Sequence, residues 1–324
     1  MLRNGRSILT VLVLGAYLTL TGACVHREQE DPCSAERLTA AAAALEWLRT
    51  EQADDGSYST DFGHPAGITC DVLLAVAASG GDPSTWRISP DKPSIADYIA
   101  STGPEYATDA ASTAKMIVAL AAAGLDPRDS GSQDFLARLE SLSDGTGTYD
   151  PGAVGQAWSI LALVAAQDEQ APAAALAVLK GYQLESGAWP AGWGPENDTT
   201  CLALQALIAA GEPKDSESVQ QALAFLKQQQ NEDGGFPTIK PSDWGTDTNA
   251  NSTASVIMAL AALGDDPVGP GWTKADANPL TALLDLQAED GKIEFQRGVG
   301  SPLMATTQAT LALLGKALPL HTGK

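Results

Sequence analysis

The chain has 324 residues and a formal net charge of −21, from 40 acidic against 19 basic residues. So acidic a surface repels phosphate backbones, which excludes nucleic acid as a partner, and it carries no polybasic patch for anionic lipid. Histidines number three (His26, His64 and His321), so no metal and no cofactor is expected.

Arg3 and Arg6 make a positive start, and Ser7 to Thr21 form an apolar run too short to span a bilayer comfortably. Leu20-Thr21-Gly22-Ala23 then puts small residues directly before Cys24, which resembles the bacterial lipoprotein signal. The resemblance implies cleavage after residue 23, acylation of Cys24, and an exported chain held to the cell envelope by its N-terminal lipid. Residues 1–23 are therefore expected as signal peptide, 24–34 as tether, 35–317 as a repeat domain and 318–324 as a tail. Cys70 and Cys201 fall in apolar helical stretches, where free buried thiols are expected.

One pattern recurs from there on: a Thr followed six residues later by Ala. It occurs at Thr69, Thr113, Thr200, Thr253 and Thr306, and Gln156 holds the same frame in a further copy. The intervals are 44, 43, 44, 53 and 53 residues, a period of helical repeats. Each anchor opens a helix apolar nearly all round, which predicts burial on every side. Gly80, Gly124, Gly211 and Gly264 lie eleven residues past their anchors, each with a proline soon after, and predict helix stops. Between stops and anchors lie amphipathic helices over 35–51, 132–143, 173–184, 216–230 and 279–288, with a short, degenerate one over 93–102. Gln52 to Gly56, Gln183 to Gly187, Gln230 to Gly234 and Gln287 to Gly291 share one spacing. An aromatic follows each glycine: Tyr58, Trp189, Phe236 and, later, Phe295. The copy before Gln156 keeps Asp144-Gly145 and Tyr149 without the glutamine.

Gln-x3-Gly with an aromatic, then an inner helix opening on Thr and a small residue, is similar to the prenyltransferase and squalene-oxidase repeat. The resemblance implies an all-α fold, a single (α/α)6 toroid of six helical hairpins with inner helices around a central cavity. Terpenoid cyclases, protein prenyltransferases, thioester domains and transcobalamin-type proteins share that ring. The thioester group is excluded because no cysteine here precedes glycine. The segment from Thr306 to Lys316 is similar to the closing segment of transcobalamin-type toroids, but only eight residues follow it.

Glu196-Asn197-Asp198-Thr199-Thr200-Cys201 stands where the cyclases carry an Asp-x-Asp-Asp-Thr-Ala motif, which implies Asp198 as the catalytic acid of an enzyme. The last aspartate of the motif is Thr199 here. Four residues before its anchor, each of three copies carries a polar side chain on the anchor's helical face. This predicts that Asp109 with Thr113, Glu196 with Thr200, and Asn249 with Thr253 line the ring mouth, joined by Asn251, with Gln156 and Trp158 deeper in. Helix capping is the alternative for the acidic and amide residues. Asp71 and Lys115 hold equivalent positions on adjacent inner helices and are expected to pair. Trp193, Trp244 and Trp272 lie on polar loops, as ligand contacts or as rim packing. With few aromatics for a carbocation, the favoured expectation is a surface lipoprotein binding a small apolar or amphipathic molecule, or a partner, at the mouth. The alternatives are an enzyme acting on an isoprenoid and a structural scaffold.

Overall fold

The structure is a computed structural model that describes residues 32–59, 63–130, 133–167 and 172–320. The expected signal peptide, Cys24 and most of the tether lie outside the described residues. Twelve helices are described. In chain order they are α1 (Pro32–Thr50), α2 (Pro65–Ala78), α3 (Ile95–Tyr106), α4 (Ala110–Ala122), α5 (Phe135–Ser141) and α6 (Ala153–Ala165), then α7 (Pro172–Gly181), α8 (Asn197–Ala209), α9 (Glu217–Gln229), α10 (Ala250–Leu263), α11 (Pro279–Leu284) and α12 (Pro302–Leu313). The strands β1 (Pro190–Ala191) and β2 (Gly194–Pro195) form a small antiparallel hairpin that presents Trp193.

The even-numbered helices pack side by side in the order α2, α4, α6, α8, α10, α12, and α12 returns to α2. They form a closed inner ring, and the odd-numbered helices lie outside it. The inner helices bury most of their residues, including nearly all their Ala, Leu, Ile and Val. Small side chains let six helices approach closely enough to close a ring, at the densities protein cores require. The outer helices are half exposed; α9 buries Val219, Ala222, Phe225 and Leu226 and leaves its other face to water. The degenerate helix is longer than expected: α3 runs twelve residues from the capping box of Ser94 and Asp97 and carries Pro104 inside it.

Hydrogen bonds from the repeated glutamines join one hairpin to the next. Gln183 Nε2 donates to Gly187 O at 3.0 Å and to Ser218 O, at the start of the next outer helix, at 2.8 Å. Gln230 does the same to Gly234 O and Trp272 O, at 2.9 and 2.7 Å. Gln287 closes the circle, donating to Gly291 O and to Ala40 O of α1, both at 2.9 Å. The glycines are required twice over. At Gly234 φ is +84°, and a Cβ would lie 2.5 Å from the backbone nitrogen of Asn278. In the copy without the glutamine the equivalent residue is Gly147 rather than Gly145, because its absent Cβ is the one facing Ala174 of the next helix.

The Thr anchors complete each turn. Thr69, Thr200 and Thr253 Oγ1 accept the backbone N–H of Tyr58, Trp189 and Phe236, all at 3.0 Å, and donate to the carbonyl four residues back. Thr306 accepts from Ile293, so Ile293 and not Phe295 fills the aromatic position of the last copy. The expected tail does not begin at 318: Leu318 is only 7% exposed and packs into the ring.

Candidate active site

Inside the ring, a cavity of about 190 Å³ is lined by five of the six inner helices. From α8 come Glu196, Asp198, Thr199, Leu202 and Gln205; Trp158 and Val154 come from α6, and Asp71 and Leu74 from α2. Ser255 and Met258 of α10 and Thr307, Gln308 and Leu311 of α12 complete the wall, with Leu318 below.

Asp198 sits in the first turn of α8. Burial first, and then the neighbouring charge of Glu196, push its carboxyl up to about 7, against the hydroxyls of Ser252 and Ser255. Its Oδ1 is buried without a hydrogen-bond partner. A carboxyl with a value of about 7 is about half protonated at neutral pH, so it can hold a proton there and also release it. Glu196 is the N-cap residue of α8, 7% exposed, and its own carboxyl is raised by burial. It accepts a short hydrogen bond from Thr199 Oγ1, so the residue standing in for the motif's last aspartate is tied to Glu196 and not to Asp198. The loop before α10 positions this turn, because Asn197 donates its N–H to Thr238 O at 2.9 Å and its Nδ2 to Pro237 O at 2.7 Å.

Across the cavity, Lys115 Nζ lies 2.7 Å from the Asp71 carboxylate, as their equivalent positions on adjacent helices predict. Burial raises the Asp71 carboxyl and Lys115 draws it back down. The ammonium also lies 5.9 Å from the Trp158 ring centroid. The cavity thus has three carboxyl groups, one paired cation near its wall and one aromatic face. Nearby, His64 Nδ1 caps α2 by accepting from Ala66 N, and the Cys70 thiol is free, buried and pushed up to about 12 by burial. Cys201 is likewise free and buried.

Of the residues the sequence offers for the mouth and cavity, Asp198, Glu196, Trp158 and Gln308 line the cavity, and Thr199 and Ser255 join them. The rest do other work. Asp109 is an exposed cap of α4, accepting from Ser112 N at 2.8 Å. Thr200 and Thr253 are spent on the turns they anchor. Thr113 is fully buried with its Oγ1 unpartnered, because the second copy lacks the aromatic turn whose N–H such a threonine accepts. Gln156 replaces that threonine: its Oε1 accepts from Tyr149 N at 2.9 Å and its Nε2 donates to Gly147 O and Ala175 O, so it faces the outer helix. Asn249 caps α10 and Asn251 donates to Gln308 Oε1 at 2.7 Å, acting on the cavity only through that glutamine. Trp272 is buried against Phe236 as rim packing, whereas Trp193 and Trp244 are 79% and 99% exposed beside a separate surface pocket.

A closed ring of paired helices with a buried carboxyl facing a central cavity defines a terpenoid cyclase-like toroid. Residues 133–304, more than half of the chain, match the squalene-hopene cyclase C-terminal domain, and the chain belongs to that family. It is 36% identical over 135 residues to the squalene–hopene cyclase of Zymomonas mobilis; the match takes in 40% of this chain and about a fifth, 20%, of that enzyme. In three dimensions it resembles the type II terpene cyclase MstE from Scytonema, with a TM-score of 0.60 at 15% identity over 86% of this chain and 98% of that one. A variant of MstE in complex with geranylgeranyl dihydroxybenzoate as substrate superposes equally well, with a TM-score of 0.60 at 16% identity over 87% and 97% of the two chains. A chain described as a glycosidase shares the fold at a TM-score of 0.53 and 13% identity, over 86% and 96%. At these identities the structural likenesses speak for the fold alone.

Proposed function

We propose that this protein is a proton-initiated terpenoid cyclase-type enzyme acting on an isoprenoid, with Asp198 as the acid. The reading rests above all on the Asp198 carboxyl, which occupies the middle position of the cyclase motif, is partly protonated at neutral pH and leaves Oδ1 unpartnered at the wall of the cavity inside the ring. Membership of the squalene-hopene cyclase family supports an enzyme over the ligand-binding role that the composition favoured. The Asp198 proton passes to the less substituted carbon of the isoprenoid's terminal double bond, whose π electrons form the new C–H bond and leave a tertiary cation on the other carbon. A second double bond closes on that cation. Loss of a proton from the neighbouring carbon returns it to the Asp198 carboxylate, so the reaction is a net isomerisation without a co-reactant. The Trp158 face and the carboxylates of Asp71 and Glu196 stabilise the passing positive charge.

Incubation with geraniol, farnesol and geranylgeraniol in D2O, followed by mass spectrometry, tests this. A cyclised isomer carrying one deuterium, lost in Asp198→Asn, is expected. Product formed equally by the variant would refute the role of Asp198, and bound but unchanged alcohols would return the protein to the ligand-binding reading.

The N-terminal signal supports a second part of the proposal, that the chain is exported and tethered to the cell envelope through lipid on Cys24. Labelling with a palmitate analogue is expected to mark the protein and to fail in Cys24→Ala. An unlabelled native protein recovered in the soluble fraction would overturn it.

A further inference from the structure

Asp198, Leu202, Gln205 and Ala209 follow one another down α8 in steps of four, three and four, and so share one face. The first three line the cavity of the acid. Gln205 and Ala209 line a second, wider cavity of about 970 Å³, set among the C-terminal ends of the inner helices. Gln205 and Leu318 line both. Leu318 belongs to the segment that follows α12, yet it is nearly buried, and its backbone N–H donates to Gln205 Oε1 at 2.9 Å. A strap of chain therefore crosses the bottom of the ring and is fastened there by one buried glutamine.

From this geometry we infer that Leu318, held in place by Gln205, is the floor that limits the length of isoprenoid the acid's cavity accepts. The inference rests on the reading of the ligand as an isoprenoid. Asp198 and Gln205 are seven residues apart, so the floor lies about 10 Å below the acid along the helix. A cavity of about 150 Å³ is known to hold benzene, so one of about 190 Å³ suits a short prenyl chain better than a twenty-carbon one. The space beyond the floor is ample; only one side-chain pair closes it off. Leu318 is thus a specificity-determining residue and takes no part in the proton transfer.

The test uses the full chain with Asp198→Asn, so that ligands bind without turnover, and measures affinity for geraniol, farnesol and geranylgeraniol by calorimetry. With the floor intact, the ten-carbon alcohol is expected to bind at least tenfold more tightly than the twenty-carbon one. Leu318→Ala should remove that preference, and adding Ala209→Phe, which refills the lower cavity, should restore it. Gln205→Ala, which unfastens the strap without altering Leu318, should act in the same direction and serves if Leu318→Ala does not fold. Equal affinity for all three alcohols with the floor intact, or a preference unchanged in both floor variants, overturns the inference while leaving the isoprenoid reading standing. No binding of any alcohol to any variant overturns both.

Discussion

Asp198→Asn should make the protein more stable at high pH, even as it removes the proposed acid. The native carboxyl titrates at about 7 against an ordinary value of 3.8. The folded chain therefore keeps a proton between those values that the unfolded chain has released, and stability falls as pH rises through that window. A rise from 3.8 to about 7 corresponds to a loss of about 4 kcal/mol, complete above pH 7 and absent below about pH 4. Asparagine has the same shape and no proton to lose. Urea unfolding of both proteins from pH 4 to pH 8.5 measures the difference and cancels the many surface carboxylates common to the two. The variant is expected to match the native protein at the acid end and to exceed it by on the order of 4 kcal/mol at pH 8. Because the charge of Glu196 is the second cause of the shift, the same comparison made in a Glu196→Gln background should show a smaller gap at a lower midpoint. Parallel stability profiles for native and Asp198→Asn protein would show that the carboxyl is ionised at neutral pH, and the proposed proton donor would be lost with it.

Gln287→Ala removes the bonds to Gly291 O and Ala40 O that join the last turn to the first helix, and should cost about 2 kcal/mol in urea unfolding. Gly234→Ala combines a φ of +84° with a Cβ 2.5 Å from the Asn278 backbone and should lower the melting temperature far more than Gly124→Ala, where φ is +73° but nothing lies within 4 Å. Thr200→Val keeps the shape but leaves the buried Trp189 N–H without its acceptor, for a loss of about 1–3 kcal/mol at the urea midpoint. Lys115→Met strands the Asp71 carboxylate and should destabilise by about 3 kcal/mol at pH 8, less as the pH falls and burial lets Asp71 take up a proton, and Asp71→Asn in the same chain should restore most of it.

The repeating Thr, Gln and Gly signals determine the helices and their order, because each acts over a few residues. A threonine hydroxyl caps a turn 11 to 17 residues back, a glutamine clips the turn four residues on, and a glycine ends a helix by taking positive φ, as at Gly80, Gly124, Gly211 and Gly264. Hence the ring's elements and the Asp71–Lys115 pair could be read from one strand of letters. The interior was not legible in the same way. Whether a polar residue at a helix start faces the cavity, caps the helix or reaches outward depends on rotation about the helix and on what the neighbouring repeat supplies. That is why Glu196 and Trp158 meet the cavity while Gln156 turns to Tyr149 and Thr200 to Trp189. The raised Asp198 carboxyl and the Leu318 floor are likewise products of tertiary packing. Each depends on groups brought together by the closed ring, the neighbouring helices that bury Asp198 in one case and Gln205 with the strap after α12 in the other. Local pattern dictates which helices form, but burial and electrostatics belong to a place in space, and only the closed ring creates that place.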